Sequence, residues 1–234
     1  MPTVRNLPHR IRLRTIESLV RTLDLPEKPS YADFGCGNGY VSEHVRRLIA
    51  ARKTYGFDQQ QEQLERGCSS YPDIQFSRFD LNNPRGSPVR CDLVTCFETL
   101  EHVGRLDCAV ANLVSAVAPG GTLLISVPIE IGVVGLAKLA LKLAYRYDFS
   151  ELPAMSGLRR RYAWALVTGA RMSRFRDGRP RWGTHFGFDH RDLCDALSQF
   201  EVDLRRVNSF TTHLCIARVR SSSSNATSSL SEAN

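Results

Sequence analysis

Three observations predict an α/β fold. Short apolar strands alternate with helical segments between residues 30 and 128, two of those strands end on an acid, and after residue 188 a helix is followed by two closely spaced strands. Residues 9–25 have helical spacing, with Ile11, Ile16, Leu19, Val20 and Leu23 on one side, until Pro26 and Pro29 end the element. Residues 30–34 read as a strand and 40–51 as a helix. TYGFD at 54–58 and IQFSRFD at 74–80 are strands that end on Asp58 and Asp80. CDLVTCF at 91–97 is apolar and too short for a helix. A helix at 105–118 stops at Pro119-Gly120-Gly121, and GTLLISVP at 121–128 is the fifth strand. Such alternation predicts a mostly parallel sheet with helices on both faces. A helix at 190–199 then leads to strands at 202–208 and 213–220, whose short connection predicts an antiparallel hairpin at the end of the sheet.

The chain has 234 residues, 42% of them hydrophobic, enough for one core of good size. Residues 1–220 read as one domain, with 129–184 as a helical insertion after the fifth strand. The SSSSNATSSLSEAN stretch at 221–234 reads as a disordered tail. No run of 18 apolar residues is present and the first residues lack a signal-peptide core, so the expected location is cytoplasmic. Seven cysteines stand at 36, 68, 91, 96, 108, 194 and 215 without a CxxC pair, and read as reduced, mostly buried thiols, not a disulfide frame or zinc site. His185, Asp189 and His190 lie close in sequence, but Asp189 and Asp192 read as helix capping, so no metal site is expected there. The net charge is +7, and the segment 129–191 alone carries twelve basic and five acidic residues. Its cluster of Arg159, Arg160, Arg161, Arg171, Arg174, Arg176, Arg179 and Arg181 is either an anion-attracting surface or a solvated face.

YADFGCGNGY at 31–40 carries the strongest signal. An apolar strand runs into Gly35-x-Gly37-x-Gly39 and a helix follows, which brings backbone amides and a helix N-terminus to one place. A dinucleotide fingerprint would need glycine at position 40, which is Tyr40, and no Gly-Lys-Ser/Thr ending supports a P-loop. Asp58, 19 residues past Gly39, suits the two hydroxyls of a ribose or a helix cap. Asp80 suits an exocyclic amine or the turn in DLNNP. Glu98, Glu101 and His102 fall just past the fourth strand, and in open α/β sheets ligands bind at the carboxyl ends of strands.

YADFGCGNGY, YGFD, FSRFDLNN, CDLVTCFETLEHV and VAPGGTLLISVP, in that order and spacing, resemble the class I S-adenosylmethionine (SAM)-dependent methyltransferases. The ETLEHV stretch is similar to the ubiquinone/menaquinone-type small-molecule branch. The resemblance covers residues 30–128 and continues weakly through 185–220. It implies a Rossmann-like sheet of seven strands with the last antiparallel, and SAM as cofactor. It further implies that Gly35, Cys36, Gly37, Asn38 and Gly39 wrap the amino-acid part of SAM, with Asp33 supporting the loop or meeting the amino group. Asp58, followed by Gln59, would hold the ribose, Asp80 and Leu81 would meet adenine, and Phe97 and Glu98 would line the sulfonium side.

Methyl transfer needs a nucleophile held close to the methyl carbon and water excluded. His102 is the candidate base, since histidine titrates near neutral pH, or else it packs at a helix start. Glu98 and Glu101 would orient the acceptor or cap the following helix, and His185, with Asp189 and His190, would rim its pocket. The apolar stretch 131–147, with Lys138, Lys142 and Arg146 on one stripe, reads as a lid over the site or as a peripheral membrane contact. The expected reaction is methylation of a small-molecule or lipid-like acceptor, at oxygen before carbon or nitrogen. Two other readings remain. One is an RNA methyltransferase using the basic 159–181 segment, against which stands CFETLEH where base-amino methyltransferases carry Asn/Asp-Pro-Pro-aromatic. The other is a protein that binds SAM or a partner without catalysis.

Overall fold

A computed structural model describes residues 7–129, 131–132, 135, 156–176, 182–183, 187–209 and 212–220. Six α-helices and seven strands lie among them in the order α1 (Leu7–Val20), β1 (Ser30–Phe34), α2 (Tyr40–Leu48), β2 (Lys53–Asp58), α3 (Gln61–Ser70), β3 (Ile74–Arg78), β4 (Cys91–Phe97), α4 (Leu106–Ser115), β5 (Val117–Pro128), α5 (Ser156–Thr168), α6 (His190–Leu197), β6 (Val202–Ser209) and β7 (Thr212–Val219). The strands form one sheet in the order β3-β2-β1-β4-β5-β7-β6. Pairing is parallel from β3 through β5, whereas β7 runs antiparallel to both β5 and β6. The predicted hairpin is therefore present, and its second strand inserts beside β5 so that β6 forms the edge.

Side chains alternate along each strand, and this sheet buries both faces. Tyr31, Leu93, Leu124, Leu214 and Ile216 pack with Ile16, Leu19 and Val20 of α1 and Val45 of α2. Their strand neighbours Ala32, Phe34, Val94, Leu123, Ile125, Cys215 and Ala217 pack in the other layer, with Val110 and Leu113 of α4 and Leu193 and Leu197 of α6. Phe34 stacks on Phe57 at 4.7 Å between ring centroids, and Phe79 meets both rings edge-on, which welds β1 to β2 and the end of β3.

Several boundaries differ from the sequence reading: α1 ends at Val20, well before Pro26, and β3 ends at Arg78, two residues short of Asp80. Helix α4 stops at Ser115, and β5 already begins at Val117. Val117 pairs with Cys91 and the register shifts before Leu93, so a bulge absorbs the Pro-Gly-Gly stretch read as a turn. Within the insertion, Tyr162, Ala165 and Leu166 of α5 form a small cluster with Met172, against which Ile131 and Phe175 pack. Most of the stretch 131–147, and the tail 221–234, lie outside the described residues.

Candidate active site

The glycine loop is held open from below. Gly35 and Cys36 both donate their amides to the Phe57 carbonyl, at 2.7 and 3.0 Å, and Gly39 donates to Cys36. Gly35, Gly37 and Gly39 take left-handed backbone, with φ of 76°, 54° and 79°, while Asn38 between them does not. The loop then enters α2 at Gly39. Asp58 at the end of β2 accepts the Gly37 amide on Oδ2 at 2.8 Å and the Gln60 amide on Oδ1 at 2.9 Å. Gln60, not Asp58, occupies the N-cap of α3, so the carboxylate shapes the loop and does not cap that helix.

Beneath the loop, Asp33 is 3% exposed and accepts the hydroxyls of Ser42 at 2.5 Å and Thr95 at 2.7 Å. Burial pushes its carboxyl up from the ordinary 3.8 to about 6, against the pull of these two hydrogen bonds. Folding thus favours the protonated acid. That contribution to stability is complete below about pH 4 and is lost as pH rises through about 6. At about 1.4 kcal/mol per pH unit, the ionised acid costs the fold about 3 kcal/mol, of which about 2 kcal/mol enters between about pH 4.5 and 7.5. Asp33→Asn is expected to remove this term. In urea unfolding, the variant should gain on the wild type by about 2 kcal/mol across that interval. A stability difference independent of pH would refute the assignment.

A cleft of about 550 Å³ opens at the carboxyl ends of β1, β2 and β4, lined by Gly35, Asp58, Gln59, Gln60, Glu98, Thr99, His102, Trp182 and Gly183. Five of the residues expected at the site therefore share one space: Gly35, Asp58, Gln59, Glu98 and His102. Gly37 faces open space, with no heavy atom within 4 Å of where a Cβ would stand. The loop crest, a carboxylate beside it and a cleft of this volume fit a nucleoside carrying an amino-acid arm. Asp33 lies under the loop. Cys36 is buried, its thiol pushed up by burial, and Asn38 is exposed and turns its Oδ1 to the Tyr40 amide. Leu81, 2% exposed, is part of the core, and Phe97 packs against the α1–α2 layer, so neither reaches the lining.

Asp80 serves the turn. Its Oδ1 accepts the Asn82 amide at 3.0 Å and the Trp182 indole N–H at 3.0 Å. Buried Asn82 accepts the Gly104 and Arg105 amides, fixing this turn to the segment after β4. Glu98 has φ of 48°, strained for a residue with a side chain. Its amide donates to the Ser126 carbonyl and its Oε1 accepts the Ser126 hydroxyl, so β5 holds it in this conformation.

His102 is positioned from the far side of the insertion. Val103 bridges Trp182 in antiparallel fashion, and Gly183 donates its amide to the His102 carbonyl at 2.8 Å. The His102 Nδ1 stands 2.9 Å from the Gly183 carbonyl oxygen. A carbonyl only accepts, so Nδ1 carries the proton and Nε2 is the basic nitrogen of the neutral ring. Nε2 lies 4.0 Å from the buried Glu101 carboxylate. Trp182 and Gly183 went unread in the sequence because a two-residue bridge has no periodicity to show. Arg176 donates to the carbonyls of Leu100, Glu101 and Val103 and lies 5.0 Å from the Phe188 ring centroid. Arg171 pairs with Asp192 and Asp195. Two members of the cluster read as an anion-attracting surface or a solvated face are thus committed to contacts within the chain. Asp189 caps α6 as expected, accepting the Arg191 amide. His185, Arg179, Arg181 and Asp177 lie outside the described residues.

The sheet order with one reversed strand and the glycine loop after β1 define a class I methyltransferase architecture. A family model described as a methyltransferase domain matches residues 5–199, and the chain belongs to this family of SAM-dependent methyltransferases. Over 117 residues it is 27% identical to a trans-aconitate 2-methyltransferase of Variovorax paradoxus, covering 50% of this chain and 45% of that protein. Over 94 residues it is 34% identical to a ubiquinone biosynthesis O-methyltransferase of Proteus mirabilis, covering 38% of each. The chain thus matches less than half the length of these curated relatives. The solved N-methyltransferase NodS of Bradyrhizobium japonicum shares the fold, with a TM-score of 0.54 at 15% identity over 94% of this chain and 99% of that one.

Proposed function

We propose that this protein binds SAM in the cleft beside Gly35 and Asp58 and methylates an oxygen of a small-molecule acceptor with an apolar part. The observation that carries the reading is the single cleft shared by the glycine loop, Asp58, Glu98 and His102. SAM, when bound, supplies an electrophilic methyl group. Asp58 accepts the ribose hydroxyls while keeping its hold on Gly37, since a carboxylate has lone pairs for both. The loop amides and Asp33 beneath them serve the amino-acid arm, and Trp182 beside Asp80 offers an aromatic wall. His102 takes the proton of the acceptor hydroxyl on Nε2, and Glu98 orients the acceptor. Trp182 and Gly183, tied to His102, exclude water. Oxygen is favoured by a positioned imidazole, which an amine needs less, and by the small-molecule acceptors that the names of two relatives print. The apolar stretch 131–147 beyond β5 supports an acceptor with an apolar part. No described helix is long and apolar enough to cross a membrane.

The test is methyl transfer from radiolabelled SAM to alkylated phenols and polycarboxylates, with matched alkylamines and total RNA as competitors. Label recovered in ethers or esters supports the reading, and label only in amines or RNA overturns it. On the best acceptor, His102→Asn is expected to lower kcat about 100-fold or more while leaving the affinity for S-adenosylhomocysteine within about threefold. An unchanged kcat would show that His102 only packs.

A further inference from the structure

We propose that Cys194, His213 and Cys215, with His190 as fourth ligand, form a zinc site that joins α6 to β7. The three side chains come from two elements. Cys194 lies on α6, while His213 and Cys215 are two residues apart on β7 and so project to one face. All three are buried, and their ligand atoms lie within 4.8 Å of one another. Cys194 Sγ is 3.4 Å from His213 Nε2 and 4.0 Å from Cys215 Sγ. A tetrahedral zinc with ordinary bond lengths separates its ligands by about 3.5 Å for sulfur to nitrogen and about 3.8 Å for sulfur to sulfur. Two edges of the cluster therefore already match those of a coordination tetrahedron.

The imidazole is oriented for this role. His213 Nδ1 stands 2.5 Å from Asn208 Oδ1, which can only accept, so Nδ1 donates and the Nε2 lone pair points to the thiols. A ligating histidine characteristically gives its other N–H to such an oxygen. His190 would fill the remaining corner by a movement of its ring, since its nitrogens lie outside the set that falls within 4.8 Å. Its ring lies 4.7 Å from that of His213, centroid to centroid, at 49°. Two imidazoles on one tetrahedral zinc have centroids about 5 Å apart. His190 Nδ1 is buried and has no hydrogen-bond partner among the described residues. A buried nitrogen left unsatisfied destabilises the fold, and a metal ion would satisfy it. The chemistry of two thiols and two imidazoles selects a borderline-soft divalent ion, zinc before magnesium or calcium. The ligands are spread from 190 to 215, a spacing that no CxxC or HxxxH motif displays, so the sequence reads as free of metal.

The experiment uses the full chain, purified without chelator and with any affinity tag removed. Elemental analysis should find about one zinc per chain, falling at least tenfold in the Cys194→Ser, Cys215→Ser double variant. Cobalt(II) added to the zinc-stripped wild type should give a thiolate charge-transfer band and the intense visible bands of tetrahedral cobalt. This readout stands even if the variant fails to fold. Zinc should raise the melting temperature of the stripped wild type by several degrees and leave a folded His190→Ala variant less affected. Three results overturn the proposal. They are a wild type that takes up neither zinc nor cobalt at micromolar concentrations, cobalt spectra of octahedral oxygen ligation, and an intact mass two daltons low from a Cys194–Cys215 disulfide.

Discussion

Replacing Asp58 with alanine is expected to weaken S-adenosylhomocysteine binding at least tenfold, a loss of about 1.4 kcal/mol or more. Two effects combine. The carboxylate lines the cleft at the end of β2, where a ribose would place its hydroxyls. It also holds the loop, through the Gly37 and Gln60 amides, and alanine leaves both donors without this acceptor. Asp58→Asn separates the two. One amide oxygen can still serve Gly37, but the amide nitrogen then faces the Gln60 N–H, so stability should recover further than affinity. Calorimetry with S-adenosylhomocysteine, beside a thermal melt of each variant, reads both. An Asp58→Ala protein that binds within twofold of wild type would exclude the carboxylate as the ribose anchor, whatever its melting temperature.

The parts of the site that the sequence displayed are those in which chemistry sits on consecutive residues. A strand, three alternating glycines and a helix start are local, and so is an acid at a strand end. Alternation of short apolar runs likewise predicts the sheet, because burial on both faces leaves few polar positions inside a strand. What stayed hidden depends on contacts between distant segments. Arg176 reads as one more surface charge. In the structure it supplies donors to three carbonyls of the turn after β4, some 75 residues away. Trp182 and Gly183 reach His102 and Asp80 over similar separations. Side-chain direction in the turn after β3 is equally hidden: Asp80 faces the turn and the Trp182 indole, while the side chain of Leu81 packs into the core. Cys194 and Cys215 read correctly as buried thiols, yet only the folded hairpin reveals that they meet each other and His213.

Gly35→Ala is expected to cost the largest share of stability of any single change in the loop, and Gly37→Ala the largest share of binding with little loss of fold. At Gly35 a Cβ would stand 2.1 Å from Thr99 Oγ1, 2.5 Å from its Cγ2 and 2.8 Å from its Cβ. Thr99 cannot swing clear, since it is 6% exposed and its hydroxyl is bonded to the Phe97 carbonyl. The backbone is also left-handed at φ of 76°, which costs alanine roughly 1–2 kcal/mol. Overpacking adds roughly 1–3 kcal/mol, so the sum is about 3 kcal/mol and the melting temperature falls by about 10 °C. Thr99→Ala in the same chain removes the two nearest clashes and should restore more than 1 kcal/mol, a coupling that a double-mutant cycle measures. Gly37 is left-handed too, but its Cβ would enter empty space on the crest of the loop. That substitution should lower stability by only the roughly 1–2 kcal/mol of backbone strain. The methyl would then occupy the surface on which the cofactor must lie, and S-adenosylhomocysteine binding should be lost. If Gly37→Ala binds as the wild type does, the cofactor does not approach the loop crest. If Gly35→Ala melts as the wild type does, the close contact between the loop and Thr99 is not what fixes the cleft.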